Sequence, residues 1–240
     1  MSRKFQIGLL SCVFTVAAFH SAAQTAAVEE EDAVQETVTV TGSRGKPRTV
    51  ADSAVPIDVF SEEAINDVSF TDTNDVLKTL VPSYTIGREP ISDGATFVRP
   101  AALRGLSSDK TLVLVNSKRR HRAALVSIGG SGTQGPDVAT IPASALKTVE
   151  ILRDGAAAQY GSAAIAGVIN FILKDSPEGG EITFQAGQYF EGDGEDLLIA
   201  GNLGLPLGKN GFVNISVEAT SAQPTNRGKQ WDETTSFDVD

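Results

Sequence analysis

The sequence has almost no cysteine, little histidine and fewer positive than negative charges, and each shortage excludes a class of protein. One cysteine and two histidines occur among its 240 residues. The cysteine, Cys12, lies close to the N-terminus, so the rest of the chain has no disulfide and must be stabilised by its own core or by a membrane. The net charge of −10 argues against nucleic acid as a partner, because nucleic-acid binding needs a basic surface.

Apolar runs long enough to form a transmembrane helix are also missing. The N-terminal apolar stretch, Ile7 to Phe19, is shorter than the ~20 residues that such a helix needs. It follows two basic residues, Arg3 and Lys4, and precedes the small residues Ser21 to Ala23. These three parts are typical of a secretory signal. We therefore predict a signal peptide at residues 1–23 and an exported mature chain, with an N-terminal anchor as the alternative.

Motifs for catalysis, phosphate binding and metal binding do not occur in recognisable form. The stretch Gly129 to Gly132 has neither the order of a nucleophile elbow nor the lysine of a P-loop. His121, the sole histidine of the mature chain, has no carboxylate or thiol at triad or metal-ligand spacing. The acidic stretch Glu191 to Asp196 lacks the EF-hand pattern. We predict a protein that is not an enzyme, with no catalytic residue, no cofactor and no metal site.

Residues 24–50 form a polar linker that carries one alternating segment. Four acidic residues at 29–32 favour disorder. The alternating segment that follows consists of Glu36, Thr37, Val38, Thr39, Val40, Thr41 and Gly42. Its β-branched residues favour an extended backbone, although a lone strand is not stable in water. The segment is either a loop that happens to alternate or a docking strand that adds to a partner's sheet.

Residues 51–174 are predicted to form a small α+β body, with a mixed sheet, short helices and long loops. Its strands include Thr111 to Val115, and its first helix begins after Ser61, a residue that favours the helix N-cap. Two glycine-rich loops, Ile86 to Arg99 and His121 to Asp137, interrupt the body. Long loops in a compact body are usually functional, so these two loops are the expected location of a binding site.

The pattern changes to strict alternation after Lys174. In the clearest segment, apolar Val213, Ile215, Val217 and Ala219 alternate with polar Asn214, Ser216, Glu218 and Thr220. Segments of roughly 10 residues with this period, separated by short turns, are what the strands of a membrane barrel require. The alternative is a soluble β-meander with one wet face. Export, together with the family resemblance described below, favours the barrel, so residues 175–240 are expected to form the first antiparallel strands of a transmembrane β-barrel.

Six short motifs follow one another in the predicted α+β body. They are Leu103-Arg104-Gly105, Leu112 to Asn116, Ile141-Pro142, Val149 to Gly155, Tyr160 to Ser162 and Ala164 to Asn170. In this order, behind a signal peptide, they resemble the plug domain of TonB-dependent outer-membrane receptors. The alternating segment at 36–42 is similar to that family's TonB box. One departure is Ser117, which stands where the family often has glycine, so strain is expected if the turn needs a positive φ.

The resemblance implies a location, a partner and a transport function. It implies the cell outer membrane, with the plug and N-terminus facing the periplasm and the barrel in contact with lipid. The TonB complex of the inner membrane would bind residues 36–42 and drive uptake of a scarce ligand, expected to be a ferric siderophore. A barrel of about 22 strands needs more residues than are present, so we expect the sequence to be a fragment, a truncated gene product or one piece of a split receptor. A soluble periplasmic binding or adhesion module is the competing interpretation.

The resemblance also implies roles for individual charged residues. The two glycine-rich loops would face the ligand, and arginine suits anionic iron chelates. The expected ligand contacts are Arg88, Arg99, His121 and Arg122; a neutral sugar or a cobalamin is the alternative ligand, and the basic run at 118–122 is otherwise a solvated surface. Charges in the family's motifs help to lock the plug to the barrel wall. The residues expected in this plug–barrel lock are Arg104, Glu150 and Arg153, with ion pairs inside the plug as the alternative.

Overall fold

The structure is a computed structural model of the chain. It describes residues 38–39, 48–50, 56–68, 70, 72–86, 97–127, 132–154, 156–209 and 211–225. The chain divides into two units, Met1–Gln35 and Glu36–Asp240, and every described residue belongs to the second. The predicted signal peptide therefore lies outside the described residues. No helix within the described ranges is both long and apolar enough to cross a membrane.

The described elements are mostly short strands. In chain order the strands are β1 (Val38–Thr39), β2 (Arg48–Thr49), β3 (Ile57–Ser61), β4 (Tyr84–Thr85), β5 (Ala102–Leu103), β6 (Thr111–Val115), β7 (Lys118–Arg119), β8 (Leu146–Leu152), β9 (Gly167–Leu173), β10 (Gly180–Gly187), β11 (Asp196–Leu207) and β12 (Gly211–Ala222). The α-helices are α1 (Glu62–Asn66), α2 (Thr73–Leu80) and α3 (Ala157–Tyr160). Single 3-10 turns occur at Ser108–Lys110, Ala143–Ala145 and Ser162–Ala164.

A five-stranded mixed sheet forms the centre of the body, in the order β3-β8-β9-β6-β7. β6 and β9 run parallel, whereas the other neighbouring pairs are antiparallel. This confirms the predicted fold class, a small mixed sheet with short helices. Successive side chains of a strand point to opposite faces of the sheet, and each face of this sheet is covered by an apolar cluster. Thus Val113 and Ile169 belong to one apolar cluster, and Leu112 and Val168 belong to another.

The helices begin where their caps predict. The Ser61 hydroxyl accepts a hydrogen bond from the Ala64 N–H (3.3 Å) at the start of α1. Asp72 caps α2 by accepting from the Asn74 N–H (2.8 Å). α2 then buries Val76 and Leu77 in the core, which fixes this helix against the sheet.

The turn between β6 and β7 has the strain that the sequence predicts at Ser117. Leu114 pairs with Arg119 and Val115 with Lys118, so the hairpin loop has two residues, Asn116 and Ser117. Their φ angles are +47° and +62°. Two-residue hairpin turns of this kind need positive φ at both positions and favour glycine at the second. The prediction that Ser117 is strained is confirmed.

The C-terminal strands form a separate three-stranded antiparallel sheet, β10-β11-β12. Its longest strands have 12 residues each. One face is apolar and exposed, and it carries Ile182, Phe184, Leu197, Ile199, Leu203, Leu205, Val213, Ile215 and Val217. On the other face, Leu198 and Ala200 are buried, and β11 and β12 contact the 3-10 turn at Ala143–Ala145. The predicted alternation is confirmed, and the face turned toward the α+β body carries mostly polar and small side chains, with buried Leu198 as an apolar exception.

Candidate functional site

The two glycine-rich loops meet at their C-terminal ends. The Arg99 N–H donates to the Asp137 carboxylate (3.2 Å), and the Val138 N–H donates to the Arg99 carbonyl (3.2 Å). Pro100 and Asp137 form an isolated antiparallel bridge. Residues 87–96 of the first loop, including the predicted contact Arg88, and residues 128–131 of the second lie outside the described residues. Of the two ligand contacts predicted in the first loop, the structure therefore describes Arg99.

The charge of Arg99 is compensated by an acidic neighbour that the sequence analysis missed. Its guanidinium forms an ion pair with Asp72, the cap of α2, and the Arg99 side chain is 33% exposed. Both residues line a cavity of about 740 Å³ between α2 and the strands β11 and β12. This cavity is also lined by Asp75, Asp196 and Glu218. An incoming anion must therefore displace Asp72 and enter an acidic surrounding. No signal in the local sequence links residues 72 and 99.

Two side chains of the basic run at 118–122 are hydrogen-bonded to other parts of the α+β body. Arg119 donates to the Tyr160 carbonyl (3.2 Å) and Arg120 to the Thr140 hydroxyl (2.9 Å). The predicted contacts His121 and Arg122 are exposed, and their side chains make no hydrogen bond with another described residue. Arg122 lines a small cavity that Arg99 does not share. The structure thus does not bring the predicted ligand contacts into one described cavity.

The three predicted lock residues have described partners inside the α+β body. Arg153 donates two hydrogen bonds to Asp58 on β3. Arg104 donates to Asp154 (3.2 Å) and to the Ile165 carbonyl (3.0 Å). Glu150 is buried and accepts from the Asn170 amide (3.3 Å). The contacts of Arg104 and Arg153 are internal ion pairs, as the alternative expects, whereas the contact of Glu150 is a hydrogen bond from an amide. A contact between these residues and a barrel wall stays a prediction.

Lys174 connects the α+β body to the C-terminal sheet. From the sequence it was recognised only as the end of the α+β body. Its ammonium is paired with Glu62 of α1 (2.7 Å) and with Glu181 of β10 (3.2 Å). Burial opposes the charge on Lys174, but its hydrogen bonds to both glutamates outweigh that effect, so its pKa is raised. A second polar contact across the same junction runs from the Ser144 hydroxyl to Glu218 of β12 (3.3 Å). The α+β body is therefore joined to the C-terminal sheet by specific polar contacts.

The N-terminal alternating segment is described at two of its residues. Val38 and Thr39 pair antiparallel with Thr49 and Arg48, so this part of the segment is paired within the chain. The rest of residues 36–42 lies outside the described residues. Among the described residues, no group of three His, Cys, Asp or Glu side chains is arranged to hold a metal ion.

Comparison with known proteins adds a family and several similar chains. The model of the TonB-dependent Receptor Plug Domain matches residues 49–168. The chain is 26% identical over 202 residues to "Vitamin B12 transporter BtuB" of Photobacterium profundum, covering 83% of this chain and 30% of that protein. It is 29% identical over 192 residues to the protein of the same name from Vibrio cholerae, covering 80% and 29%. The chain thus spans about three tenths of the length of these relatives.

Solved structures of two receptors have a similar fold. A variant of the ferric enterobactin receptor PfeA of Pseudomonas aeruginosa matches with a TM-score of 0.56 and 24% identity, over 71% of this chain and 25% of that one. The siderophore receptor PirA of Acinetobacter baumannii matches with a TM-score of 0.53 and 25% identity, over 72% of this chain and 25% of that one.

Proposed function

Because the chain belongs to the family of TonB-dependent receptors, we propose that it is the N-terminal part of an outer-membrane receptor for energy-coupled ligand uptake. One observation carries this proposal: a plug body is packed on the polar face of an antiparallel sheet whose opposite face is apolar and exposed. A lumen that encloses a polar plug and an outer face that contacts lipid require this arrangement. The proposed domains are a signal peptide at 1–23, a linker with the TonB box at 24–50, the plug at 51–174 and barrel strands at 175–240.

The exposed apolar face of the C-terminal sheet separates this proposal from a soluble periplasmic module. A lysine on the lipid face of a barrel strand costs about 2–4 kcal/mol near the bilayer midplane. Ile215→Lys should therefore impair insertion, whereas Thr220→Lys, on the polar face of the same strand, should be tolerated. Insertion is measured on a full-length receptor that carries each change, by flotation with outer-membrane-like vesicles and by urea unfolding in them. If both receptor variants insert and unfold like the parent, this face of the sheet does not contact lipid and the soluble module is favoured.

The TonB box is proposed to bind the TonB complex as an added strand. Main-chain hydrogen bonds dominate such binding, so it depends little on side chains. Val40→Pro removes a backbone donor and should abolish coupling, whereas Val40→Thr keeps the donor and should be tolerated. Cysteines placed in this segment should form crosslinks with TonB in cells. Uptake at the parent rate by a full-length receptor with the proline would contradict this binding mode.

The ligand is proposed to be an anionic iron chelate of the siderophore class. The exposed side chains of His121 and Arg122 and the siderophore receptors among the similar folds support this class. The B12 transporters among the relatives keep cobalamin as the alternative. Arg88 and Arg99 complete the proposed contact set, with Arg99 the weaker contributor because Asp72 already neutralises it.

Binding of two defined probes distinguishes these ligands. The probes are a ferric tris-catecholate chelate, which is anionic, and cyanocobalamin, which has no net charge. Each lost charge-assisted bond costs roughly 1.5–3 kcal/mol, so Arg122→Ala in a full-length receptor should weaken chelate binding at least tenfold. Lys209→Ala, in an exposed turn between β11 and β12, is the control and should leave binding unchanged. Tight binding of cyanocobalamin with no binding of the chelate would refute the anionic ligand.

Export and orientation follow from the same proposal. The exported protein should begin at Gln24, which N-terminal sequencing of the membrane-bound form measures. The plug and the N-terminus should face the periplasm. Thiols introduced at 36–42 should therefore react with membrane-impermeant thiol reagents only after the outer membrane is made permeable. Reaction in intact cells would contradict this orientation.

A further inference from the structure

The first turn of α2 holds both glycine-rich loops by side-chain bonds from three consecutive residues. We call Asp72, Thr73 and Asn74 the loop anchor. Thr73 and Asn74 are almost fully buried, with 4% and 0% of their surface exposed. They lie on a helix whose next turn is packed into the core, so the loop anchor is a rigid base.

The first loop is held at both of its ends. At its N-terminal end, the Tyr84 hydroxyl donates to the Asn74 side-chain carbonyl (2.6 Å) in a buried hydrogen bond. At its C-terminal end, Arg99 is paired with Asp72. The Asp72 carboxylate performs two tasks with different oxygens: Oδ1 caps α2, and Oδ2 pairs with Arg99. The state of the Arg99 end is therefore linked to the cap of the helix.

The second loop is held by the middle residue of the same turn. The Thr73 hydroxyl donates to the Ile141 carbonyl (2.6 Å) in a buried hydrogen bond. Ile141 lies four residues after Asp137, the last residue of this loop. The Asp137 carboxylate accepts hydrogen bonds from the Ala139 N–H (3.0 Å) and the Arg99 N–H (3.2 Å). The ends of both loops thus share one helical turn.

We propose that the loop anchor is a positioning site that fixes the two loops relative to each other and couples their movements. The inference rests on the proposed function in one respect, namely that these loops contact the ligand. A ligand that binds Arg99 must take it from Asp72. The Arg99 N–H also donates to the Asp137 carboxylate (3.2 Å) at the end of the second loop, and Thr73 holds that end through Ile141 (2.6 Å). Binding at the first loop is thereby transmitted to the second through Asp72, Arg99 and Asp137.

Hydrogen exchange of the full chain in detergent micelles tests this coupling without any ligand. Asp72→Ser keeps a good helix cap but removes the partner of Arg99. Thr73→Val keeps the side-chain shape but removes the bond to Ile141. Thr79→Val is the control, because its hydroxyl bonds to the Asp75 carbonyl within α2, away from the loops. Exchange is compared in peptides covering 97–103 and 132–141, with β6 as the internal reference.

We expect each variant to loosen both loops. Asp72→Ser should raise exchange at 97–103 by about 1.5- to fivefold, and Thr73→Val should raise exchange at 132–141 by about two- to tenfold. Each should also raise exchange in the other peptide, while Thr79→Val changes neither. If exchange rises only in the loop that the changed residue touches, or in neither loop, the proposal is wrong.

A second variant decides the matter if Asp72→Ser destabilises the whole plug and β6 also loses protection. Arg99→Gln removes the same ion pair from the loop side and leaves the helix cap intact. It should raise exchange at 132–141, and an unchanged 132–141 peptide in this variant would overturn the coupling. Because no ligand is used, an incorrect ligand class would leave this result unaffected.

Discussion

Replacing Ser117 with glycine should stabilise the protein, although it removes a hydroxyl group. The left-handed conformation costs an ordinary L-residue about 1–2 kcal/mol, and Ser117 adopts it with φ +62°. Glycine adopts it without strain but costs about 0.4–1 kcal/mol because it makes the unfolded chain more flexible. The midpoints of these two ranges, about 1.5 and about 0.7 kcal/mol, leave a difference of about 0.8 kcal/mol in favour of glycine.

The hydrogen bonds around this turn add little to the balance. The Ser117 N–H donates to the Asn170 side chain (3.0 Å), and this bond survives because it uses the backbone. The lost hydroxyl accepts from the Asn170 amide at 3.4 Å, a long contact, and the same amide also donates to Glu150. Ser117→Gly should therefore still raise the free energy of unfolding.

Thermal unfolding in detergent, followed by circular dichroism, measures this effect. A gain of 1 kcal/mol raises the melting temperature by about 2–4 °C in a chain of this size, so Ser117→Gly should raise it by about 1–4 °C. Ser107→Gly is the matched control, since Ser107 is exposed with φ −63° and should lose stability on the same change. If both variants are destabilised equally, the argument from backbone strain is wrong.

Three further changes test the core, the loop anchor and the internal ion pair by unfolding of the full chain. Gly167→Ala should destabilise by about 1–3 kcal/mol, because a Cβ there would lie 2.4 Å from the Leu152 carbonyl oxygen; an unchanged melting temperature would contradict the close approach. Burial raises the pKa of Tyr84 above its ordinary value of 10.0, so the folded state holds this proton more tightly and stability should fall as the pH rises above 10. Tyr84→Phe should remove part of this alkaline loss, and an identical pH profile would refute it. Arg153→Asp should destabilise the chain and a second change, Asp58→Arg, should restore stability; failure of the double variant to recover would favour a partner for Arg153 outside the plug.

Interactions between near neighbours in the sequence were predictable. The Ser61 cap acts on a residue three positions away, and the Asn116-Ser117 turn joins adjacent strands, so both follow from residue type and order. The alternation in β12 assigns each side chain to a face because the period of a strand is two. The two-residue strands β4, β5 and β7 were not predicted, because two residues are too few to show a period.

The sequence by itself determined which face of β11 and β12 is apolar and where the motifs of the family stand. Only the tertiary structure decided which charged and polar side chains meet. Arg153 and Asp58 are 95 positions apart, and Thr73 and Ile141 are 68 apart. These pairs depend on the order of strands in the sheet and on where α2 packs, and periodicity gives the face of an element but not its neighbour. Arg99 shows the consequence: its residue type predicts a free positive charge, whereas the fold places Asp72 against it.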